Sequence, residues 1–488
     1  MKIRDLLRTV KVKEVYGILP NRVKGITADT SRVQTGFAFL AIKGLTTDGH
    51  DLVSRAKELG AILIIAEHNV DVSLPVIVVE NTRSVWGILA LASKGNPQHS
   101  MKLVGVTGTN GKTTVTTLIH QILTKLGYNA GLMGTISTKI GSESIESKLT
   151  TGDPEQISET LLKMKQAGCS VAIMEVSSHA LDQHRVNGLN YDVAVFTNLT
   201  QDHLDYHKTM DSYAQAKKKL FDGLKEDAVA IVNTDDVYHQ TMIEHCVASV
   251  WGFGVSDGSL KIHSANETGS MFELNGTLIS TQMSGKFNVY NASSAYLACL
   301  VLGCSEKNTA HAISEVNGAE GRLERVNFDA EAPVVFVDYA HTPDALKNVL
   351  ETLQVVRERG SLIVVFGCGG DRDRSKRPKM GAVSVGLADK VYLTSDNPRS
   401  ESPDAIISEI ASGIDADSMS KVTSFVDRKK AIHQAISDAN DADVVLIAGK
   451  GHETYQEIKG VRYPLDDRLL AAAALGHRRM HLTLQGGA

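Results

Sequence analysis

A lysine and two threonines close the run Val104-Gly-Val-Thr-Gly-Thr-Asn-Gly-Lys-Thr-Thr114. Their type and spacing suit a polyphosphate. Backbone amides of a glycine-rich turn and a helix N-terminus point at anionic oxygens, an ammonium neutralises the terminal phosphates, and a hydroxyl can ligate Mg²⁺. On that reading Gly108, Thr109, Asn110, Gly111, Lys112, Thr113 and Thr114 bind a nucleotide. The general G-x-x-x-x-G-K-[ST] pattern is not met, because Val106 stands where its first glycine belongs. A plain strand-to-helix turn that needs glycine at positive φ is the competing explanation. Lys-Thr-Thr at the helix start favours the phosphate site.

Further chemistry-bearing residues follow apolar runs. Glu175 ends the run Val171–Glu175 and precedes Val-Ser-Ser-His179. A carboxylate there can hold Mg²⁺ directly or through water, or it can cap a helix. Ser177, Gln183 and Arg185 add two neutral hydrogen-bonding groups and a guanidinium fork. The stretch Asp202-His-Leu-Asp-Tyr-His207 places two His and two Asp close together. It lacks cysteine, and a phosphate loop calls for a hard cation, so one imidazole, His203, supplementing a Mg²⁺ shell is preferred to a zinc site or to ordinary capping residues. In Tyr213-Ala-Gln-Ala-Lys-Lys-Lys-Leu-Phe221, Lys217 is four residues from both Tyr213 and Phe221 and so lies on the apolar stripe of a helix. Lys218 and Lys219 are expected to face solvent. A partly buried lysine loses proton affinity and becomes a usable amine that can add CO₂. A solvated lysine face is the ordinary alternative.

Toward the C-terminus, four apolar runs (334–337, 362–366, 390–393, 444–448) each lead into a polar loop: Asp338-Tyr-Ala-His-Thr-Pro-Asp344, Gly367-Cys-Gly-Gly-Asp-Arg-Asp-Arg374, Asp396-Asn-Pro-Arg399 and Gly449-Lys-Gly-His-Glu453. Parallel strands collect such loops at their carboxyl ends. The set suits a zwitterion with an extra carboxylate: Glu453 takes an ammonium, and Arg372 and Arg399 take carboxylates. Any one of them can instead be a structural ion pair. Upstream, Asn291 is placed to contact a base, and Arg322 sits on a glycine turn.

These loops need strands and helices to carry them. Alternation of short apolar runs with amphipathic segments predicts an α/β protein with three domains: a small N-terminal α/β unit over 1–98, a central P-loop-type, mostly parallel sheet over 99–331, and a C-terminal Rossmann-like α/β domain over 332–488. In the first block, strands 37–42, 61–66 and 76–79 flank a helix over 52–59, and Asp29, Ser31, Arg32, Lys43, Asp48 and His50 on loops suit a polar ligand or simple capping. Gly95-Asn-Pro-Gln-His-Ser100 reads as a linker, 250–285 as a β-rich insertion, and 295–302 as a helix. The chain has 488 residues and a net charge of −5, which gives no reason to expect nucleic acid. Five scattered cysteines without metal spacing fit a reducing compartment. No apolar leader and no apolar run of membrane-spanning length are present, so a cytoplasmic protein without a membrane partner is expected.

The motifs resemble the Mur ligase family of bacterial cell-wall synthesis, most closely its members that add the third residue of the peptidoglycan stem peptide. The similarity is carried by Thr107-Gly-Thr-Asn-Gly-Lys-Thr-Thr114, Glu175-Val-Ser-Ser-His179, Asp202-His-Leu-Asp-Tyr-His207, Ala216-Lys217 and Val337-Asp-Tyr-Ala-His-Thr-Pro-Asp-Ala345, spread over the whole chain. It accounts for Val106, since the family has its own form of the phosphate loop. The resemblance implies ATP-driven amide formation through an acyl phosphate, with Lys112, Lys217, Glu175 and His203 as the catalytic set and Lys217 carbamylated. It implies Mg²⁺ held by Thr113, Glu175, His203 and that carbamate, and ATP contacts from Arg322 and Asp338, to which the base contact read above for Asn291 is added. Ser31, Thr150, Thr151, Ser177, Gln183 and Arg185 would hold UDP-MurNAc-L-Ala-D-Glu. Asp396-Asn-Pro-Arg399 is similar to the motif of members that add meso-diaminopimelate, whose subsite would comprise Arg372, Asp396, Asn397, Pro398, Arg399, Gly449 and Glu453. A guanidinium suits the far carboxylate of that substrate and repels the ammonium of lysine. A monomer is expected. A lysine-adding ligase, a folylpolyglutamate synthetase and a P-loop switch module are the alternatives. The last leaves Arg372, Arg399 and Glu453 without a purpose.

Overall fold

The computed structural model describes residues 2–485 apart from 45–46, 148, 267, 328–331 and 358. The expected domain boundary at 331/332 and part of the 43–50 loop therefore lie outside the described residues. The chain forms two compact units, Met1–Gly258 with Ser293–Thr309 and Ser259–Ala292 with Ala310–Ala488.

The first unit holds two sheets. In the five-stranded one the order is Val12–Tyr16, Val76–Val79, Ala61–Ala66, Phe37–Leu40, Ile26–Thr27, antiparallel at the first pair and parallel after it. The eight-stranded sheet runs Ser249–Phe253, Val229–Asn233, Val193–Phe196, Lys102–Thr107, Val171–Glu175, Ala130–Met133, Ser137–Ile140, Glu143–Glu146. All its pairings are parallel until the last two strands turn back. Val104, Val106, Ile173, Val195 and Ile231 are fully buried, as expected of parallel strands covered on both faces. The strand that feeds the phosphate loop lies between Val193–Phe196 and Val171–Glu175, so three polar strand ends meet there.

The second unit pairs a three-stranded antiparallel sheet (Leu260–Asn266, Gly269–Leu274, Thr277–Thr281) with a six-stranded sheet. The larger sheet runs Glu324–Arg325, Val334–Asp338, Val444–Ala448, Leu362–Phe366, Lys390–Thr394, Val422–Phe425, parallel except for its first pair. A hairpin, Tyr455–Ile458 with Val461–Pro464, follows the loop after Ala448. The four C-terminal strands fall where the apolar runs placed them, and their loops emerge at one sheet edge. No helix among the described residues is long and apolar enough to cross a membrane.

Three expectations about local structure fail. The supposed linker is an ordered element: Pro97–Ser100 forms a 3₁₀ turn with Pro97 and Gln98 buried, and the Asn96 amide caps the preceding helix on Leu91 O at 2.9 Å. The helix expected from residue 295 already begins at Lys286, so Asn288 and Asn291 lie on it. The Gly285 carbonyl accepts the first turn's bond from Asn288 N at 3.0 Å. Finally, Lys218 does not face solvent. It is 6% exposed, and its ammonium pairs with Asp222 and donates to Glu244 O at 2.6 Å, because the helix Met210–Asp222 is covered on that side by the helix His239–Ile243. Lys219 does sit at the surface and pairs with Asp182 at 2.9 Å. Lys218→Ala should therefore lower the urea-derived unfolding free energy of the protein by about 1–2 kcal/mol, since a partly buried carbonyl and a carboxylate lose a charged donor. Lys219→Ala, which removes an exposed pair, should stay within about 0.5 kcal/mol.

The final helix, Asp467–Gln485, is anchored by a buried ion pair. Arg428 donates to both carboxylate oxygens of Asp467, at 2.8 and 2.6 Å, and to Ala448 O at 3.0 Å, with both side chains fully buried. Removing one partner leaves a desolvated charge, so Asp467→Asn should cost about 3–5 kcal/mol in chemical denaturation. Loss of the pair without a measurable shift would show that the helix is held by its apolar face alone.

Candidate functional site

The phosphate loop joins the strand Lys102–Thr107 to the helix Lys112–Lys125. Gly108 has φ +150°, and a Cβ there would lie 1.9 Å from Thr197 Oγ1, so a side chain is excluded on two counts. The loop is pinned from the neighbouring strand end. Thr109 N donates to Asn198 O at 2.8 Å, Asn110 N to Asn198 Oδ1 at 3.0 Å, and Thr197 Oγ1 to Asn110 O at 2.6 Å. Lys112 Nζ donates to the carbonyls of Gly108 and Thr109, both at 2.8 Å.

Lys217 meets the same loop. It is 1% exposed, its Nζ donates to Gly108 O at 2.7 Å, and it lies 4.5 Å from the Tyr213 ring centroid. Burial, with Lys112's charge nearby, holds its amine well below the usual lysine range. The helical-stripe expectation is thus met: Tyr213, Lys217 and Phe221 share the buried face.

Glu175 is nearly fully buried at its strand end. Its carboxylate accepts Thr113 Oγ1 at 2.9 Å, Thr135 N at 2.7 Å and Thr135 Oγ1 at 3.0 Å. One carboxylate and two hydroxyls form an oxygen-donor set of the kind Mg²⁺ takes. Thr135, which the sequence reading missed, lies in the turn after Ala130–Met133. His203 is half exposed, at a left-handed φ of +53°, with Nε2 3.5 Å from Asp202. Its ring lies 4.9 Å from that of His179 and 6.2 Å from that of Tyr213. His207 Nε2 shares a hydrogen bond of 3.0 Å with Ser178 Oγ, and burial depresses the basicity of His179 and His207. Among the described residues no three His, Cys, Asp or Glu side chains gather as a metal centre.

Beside Glu175 lies the group expected to hold a polar substrate. Thr151 Oγ1 donates to Glu175 O at 2.8 Å and accepts Ser177 N at 3.0 Å. Arg185 donates to Thr151 O at 3.1 Å and to Gln183 Oε1 at 2.7 and 3.1 Å. Thr135 Oγ1, whose proton goes to Glu175, lies within hydrogen-bond distance of the Thr150 hydroxyl, at 3.1 Å. Thr150, Thr151, Ser177, Gln183 and Arg185 therefore form one cluster. Ser31 makes no hydrogen bond to these side chains among the described residues: its amide is capped by Asp29 at 2.8 Å on an exposed turn. That turn is tied to the helix after Thr151, since Glu155 accepts Thr27 Oγ1, Ala28 N and Arg32 Nη1 at 2.9, 2.8 and 3.2 Å. The first block's loop residues fall into two groups, for His50 pairs separately with Asp48 at 2.6 Å.

In the second unit, Asp338 accepts Leu323 N at 2.6 Å and Ala340 N at 2.8 Å, and burial raises its pKa. Arg322 lies 4.9 Å over the Tyr339 ring. Asp338 and Arg322 are thus neighbours. Asn291 is buried on its helix, donating to Asn288 Oδ1 at 3.1 Å.

The C-terminal loops converge as expected. Asn397 Nδ2 donates to Glu453 Oε2 at 2.8 Å, and Asp396 Oδ1 accepts Asn397 N at 2.6 Å. Gly449, at φ +116°, would place a Cβ 2.7 Å from Asp396 Oδ2. Arg399 holds a left-handed φ of +49° because the hairpin brackets it: Arg399 N donates to Glu457 O at 3.1 Å, and Lys459 N to Arg399 O at 2.7 Å. Its Nη1 donates to Gly370 O at 2.7 Å, while Nη2 makes no hydrogen bond among the described residues. Pro398 is buried beside it, and a Cβ on Gly369 would meet both Arg399 Nη1 and Arg372 Cγ, at 3.0 and 3.7 Å, so the two guanidinium stems flank one loop. That loop rests on Arg377, which sequence reasoning missed. Arg377 is fully buried and donates to Glu401, Glu409 and Gly369 O at 2.8, 2.8 and 3.1 Å, and it pulls the Glu401 pKa down to about 2.

Three family models match in sequence: the Mur ligase family catalytic domain over 22–94, the Mur ligase middle domain over 106–299 and the Mur ligase glutamate ligase domain over 321–451. The chain belongs to the Mur ligase family and is a ligase. The UDP-N-acetylmuramoyl-L-alanyl-D-glutamate–2,6-diaminopimelate ligase of Geobacillus thermodenitrificans is 44% identical over 492 residues, covering 98% of this chain and 100% of that one. The protein of the same name from Cytophaga hutchinsonii is 40% identical, covering 96% and 98%. A solved structure of such a diaminopimelate ligase superposes with TM-score 0.71 at 33% identity, covering 94% of this chain and 95% of that one. The MurF ligase of Thermotoga maritima in complex with ADP shares the fold, with TM-score 0.57 at 19% identity over 93% of this chain and 97% of its own.

Proposed function

We propose that this protein adds meso-diaminopimelate to UDP-MurNAc-L-Ala-D-Glu at the expense of ATP; its full-length relatives are named UDP-N-acetylmuramoyl-L-alanyl-D-glutamate–2,6-diaminopimelate ligases. The observation that carries the choice of amino acid is Arg399: the hairpin holds its backbone, its Nη1 is tied to Gly370 O, and its Nη2 makes no hydrogen bond among the described residues, close in the chain to the Asn397–Glu453 pair. Lysine offers that guanidinium no carboxylate at its far end. In the reaction the free D-glutamyl carboxylate attacks the γ-phosphorus and ADP leaves. The amine of the incoming amino acid then attacks the acyl carbon, loses its proton, and phosphate departs. Lys112 neutralises the transferring phosphoryl oxygens. Mg²⁺, when bound by Thr113, Glu175 and His203, supplies further charge neutralisation there. Lys217, whose amine burial holds well below the usual lysine range, would add to CO₂ and release a proton, and the resulting carbamate would join the residues that hold Mg²⁺.

Three functional regions follow: 1–98 for the nucleotide-sugar end, 99–331 for ATP, and 332–488 for the amino acid, with the chain acting as a cytoplasmic monomer. Formation of ADP that depends on both UDP-MurNAc-L-Ala-D-Glu and diaminopimelate tests the reading. L-Lysine and L-glutamate in place of diaminopimelate should support less than about one per cent of the rate, because lysine sets an ammonium against the guanidinium and glutamate's second carboxylate is two carbons too short to reach it. Equal rates with lysine would sink the specificity; ADP formation with neither would return the protein to the nucleotide-switch class.

A further inference from the structure

Lys450 follows Gly449 in the loop after the strand Val444–Ala448, and the site as drawn so far leaves it without a role. Its side chain is 0% exposed. Nζ donates to Glu453 Oε2 at 2.9 Å and to Asn397 Oδ1 at 3.1 Å, and it lies 5.5 Å from the Tyr455 ring centroid. A buried ammonium is tolerated only with such partners. Its place looks wrong at first, because a cation next to an ammonium-binding subsite repels the ligand. The hydrogen bonds resolve this. Asn397 Oδ1 accepts both Lys450 Nζ and Glu457 N, at 3.1 and 2.9 Å, while Asn397 Nδ2 donates to Glu453 Oε2 at 2.8 Å. With the amide reversed, its NH₂ would face two donors and its oxygen would face a carboxylate, so the flipped state is excluded by like-polarity contacts on both sides. Glu453 Oε2 is thereby saturated by two donors, and Oε1 makes no hydrogen bond among the described residues.

We infer that Lys450 is a positioning residue for the amino-acid substrate: it orients the Asn397 amide and holds Glu453 Oε2, so that Glu453 presents Oε1 to the substrate's ammonium. The assignment rests on the proposed amino-acid subsite. It places a lysine in that site for what it does to a carboxylate and an amide, without touching the ligand.

The test is steady-state kinetics of full-length Lys450→Met and Lys450→Gln with diaminopimelate as the varied substrate, alongside urea unfolding of each. Lys450→Met should raise the KM for diaminopimelate on the order of 10–100-fold, the effect of losing charged hydrogen bonds to two ligand-orienting groups. Its kcat and its KM for ATP should change less than about threefold. Lys450→Gln, which keeps a neutral donor, should fall between the two. In Asn397→Ala the further effect of Lys450→Met on KM should shrink, since one of its two targets is gone. Equal loss in kcat and in every KM, an unchanged KM for diaminopimelate, or variants that fail to fold would each assign Lys450 to fold support and overturn the inference. The unmutated protein is the internal control. If it uses another amino acid, the substrate reading fails, and the same comparison with that amino acid decides the role of Lys450.

Discussion

Lys217→Ala should lower kcat on the order of 10²–10³-fold while the protein still folds. The size is that of removing one preorganised group that stabilises charge in the transition state. Tyr213, Leu220 and Phe221 stay buried on the same helix and keep it packed. The chemistry starts from the site. A lysine buried to 1% exposure, with its pKa held well below the usual range by burial and by Lys112, offers CO₂ a neutral amine. Carbamylation would add an anionic carboxylate at that position, which a cation can take as a ligand. Added formate or acetate should restore part of the turnover of Lys217→Ala by filling the vacated ligand position. ¹³CO₂ should give a carbamate resonance in the unmutated protein that Lys217→Ala lacks and Lys218→Ala retains. Normal turnover in Lys217→Ala, or an unchanged resonance, would remove the carbamate from the mechanism.

The second large effect belongs to Arg399. Arg399→Ala should lower kcat/KM for diaminopimelate by about 2–4 kcal/mol, or roughly 30- to 1000-fold, because a charge-assisted bidentate contact is lost. The KM for ATP should not move. Arg399→Lys keeps the charge but not the fork, so it should recover only part of the loss. Ala at this position inherits the same left-handed φ of +49° that arginine already tolerates, so the backbone contributes little to the difference. A uniform fall in activity with every amino acid would assign Arg399 to holding Gly370 and the hairpin.

Much of this site was legible because its residues follow apolar runs. Val171–Glu175, Leu362–Phe366 and Val444–Ala448 have the bounds their composition predicts, and the polar residue after each strand falls at the carboxyl edge where loops converge. What escaped was set by partners distant in sequence. Nothing in three successive lysines says that the helix His239–Ile243 covers Lys218, so helical spacing placed it in solvent. Arg377 reads as one charge among many in Asp-Arg-Asp-Arg-Ser-Lys-Arg, and only the approach of Glu401 and Glu409 makes it the buried support of a loop. Lys450 was passed over between two glycines because its role depends on which way Asn397 turns. The early start of the helix at Lys286 was hidden by Asn288 and Asn291, which favour caps and turns in isolation.

The Gly108 carbonyl accepts from both Lys112 and Lys217, at 2.8 and 2.7 Å. Carbamylation would leave Lys217 Nζ a planar nitrogen with a single N–H and an anionic carboxylate attached, and so would loosen one half of the carbonyl's clamp. If nucleotide also has to draw Lys112 away, the two events compete with the same resting arrangement, and each lowers the cost of the other. Thermodynamic linkage then makes the coupling reciprocal: dissolved CO₂ should tighten ATP binding by the factor by which ATP tightens CO₂ uptake. Titrations of a non-hydrolysable ATP analogue in CO₂-depleted and bicarbonate-equilibrated buffer would measure that factor, and identical affinities would set it to unity. The loop would then report the supply of a metabolic gas as well as of its nucleotide.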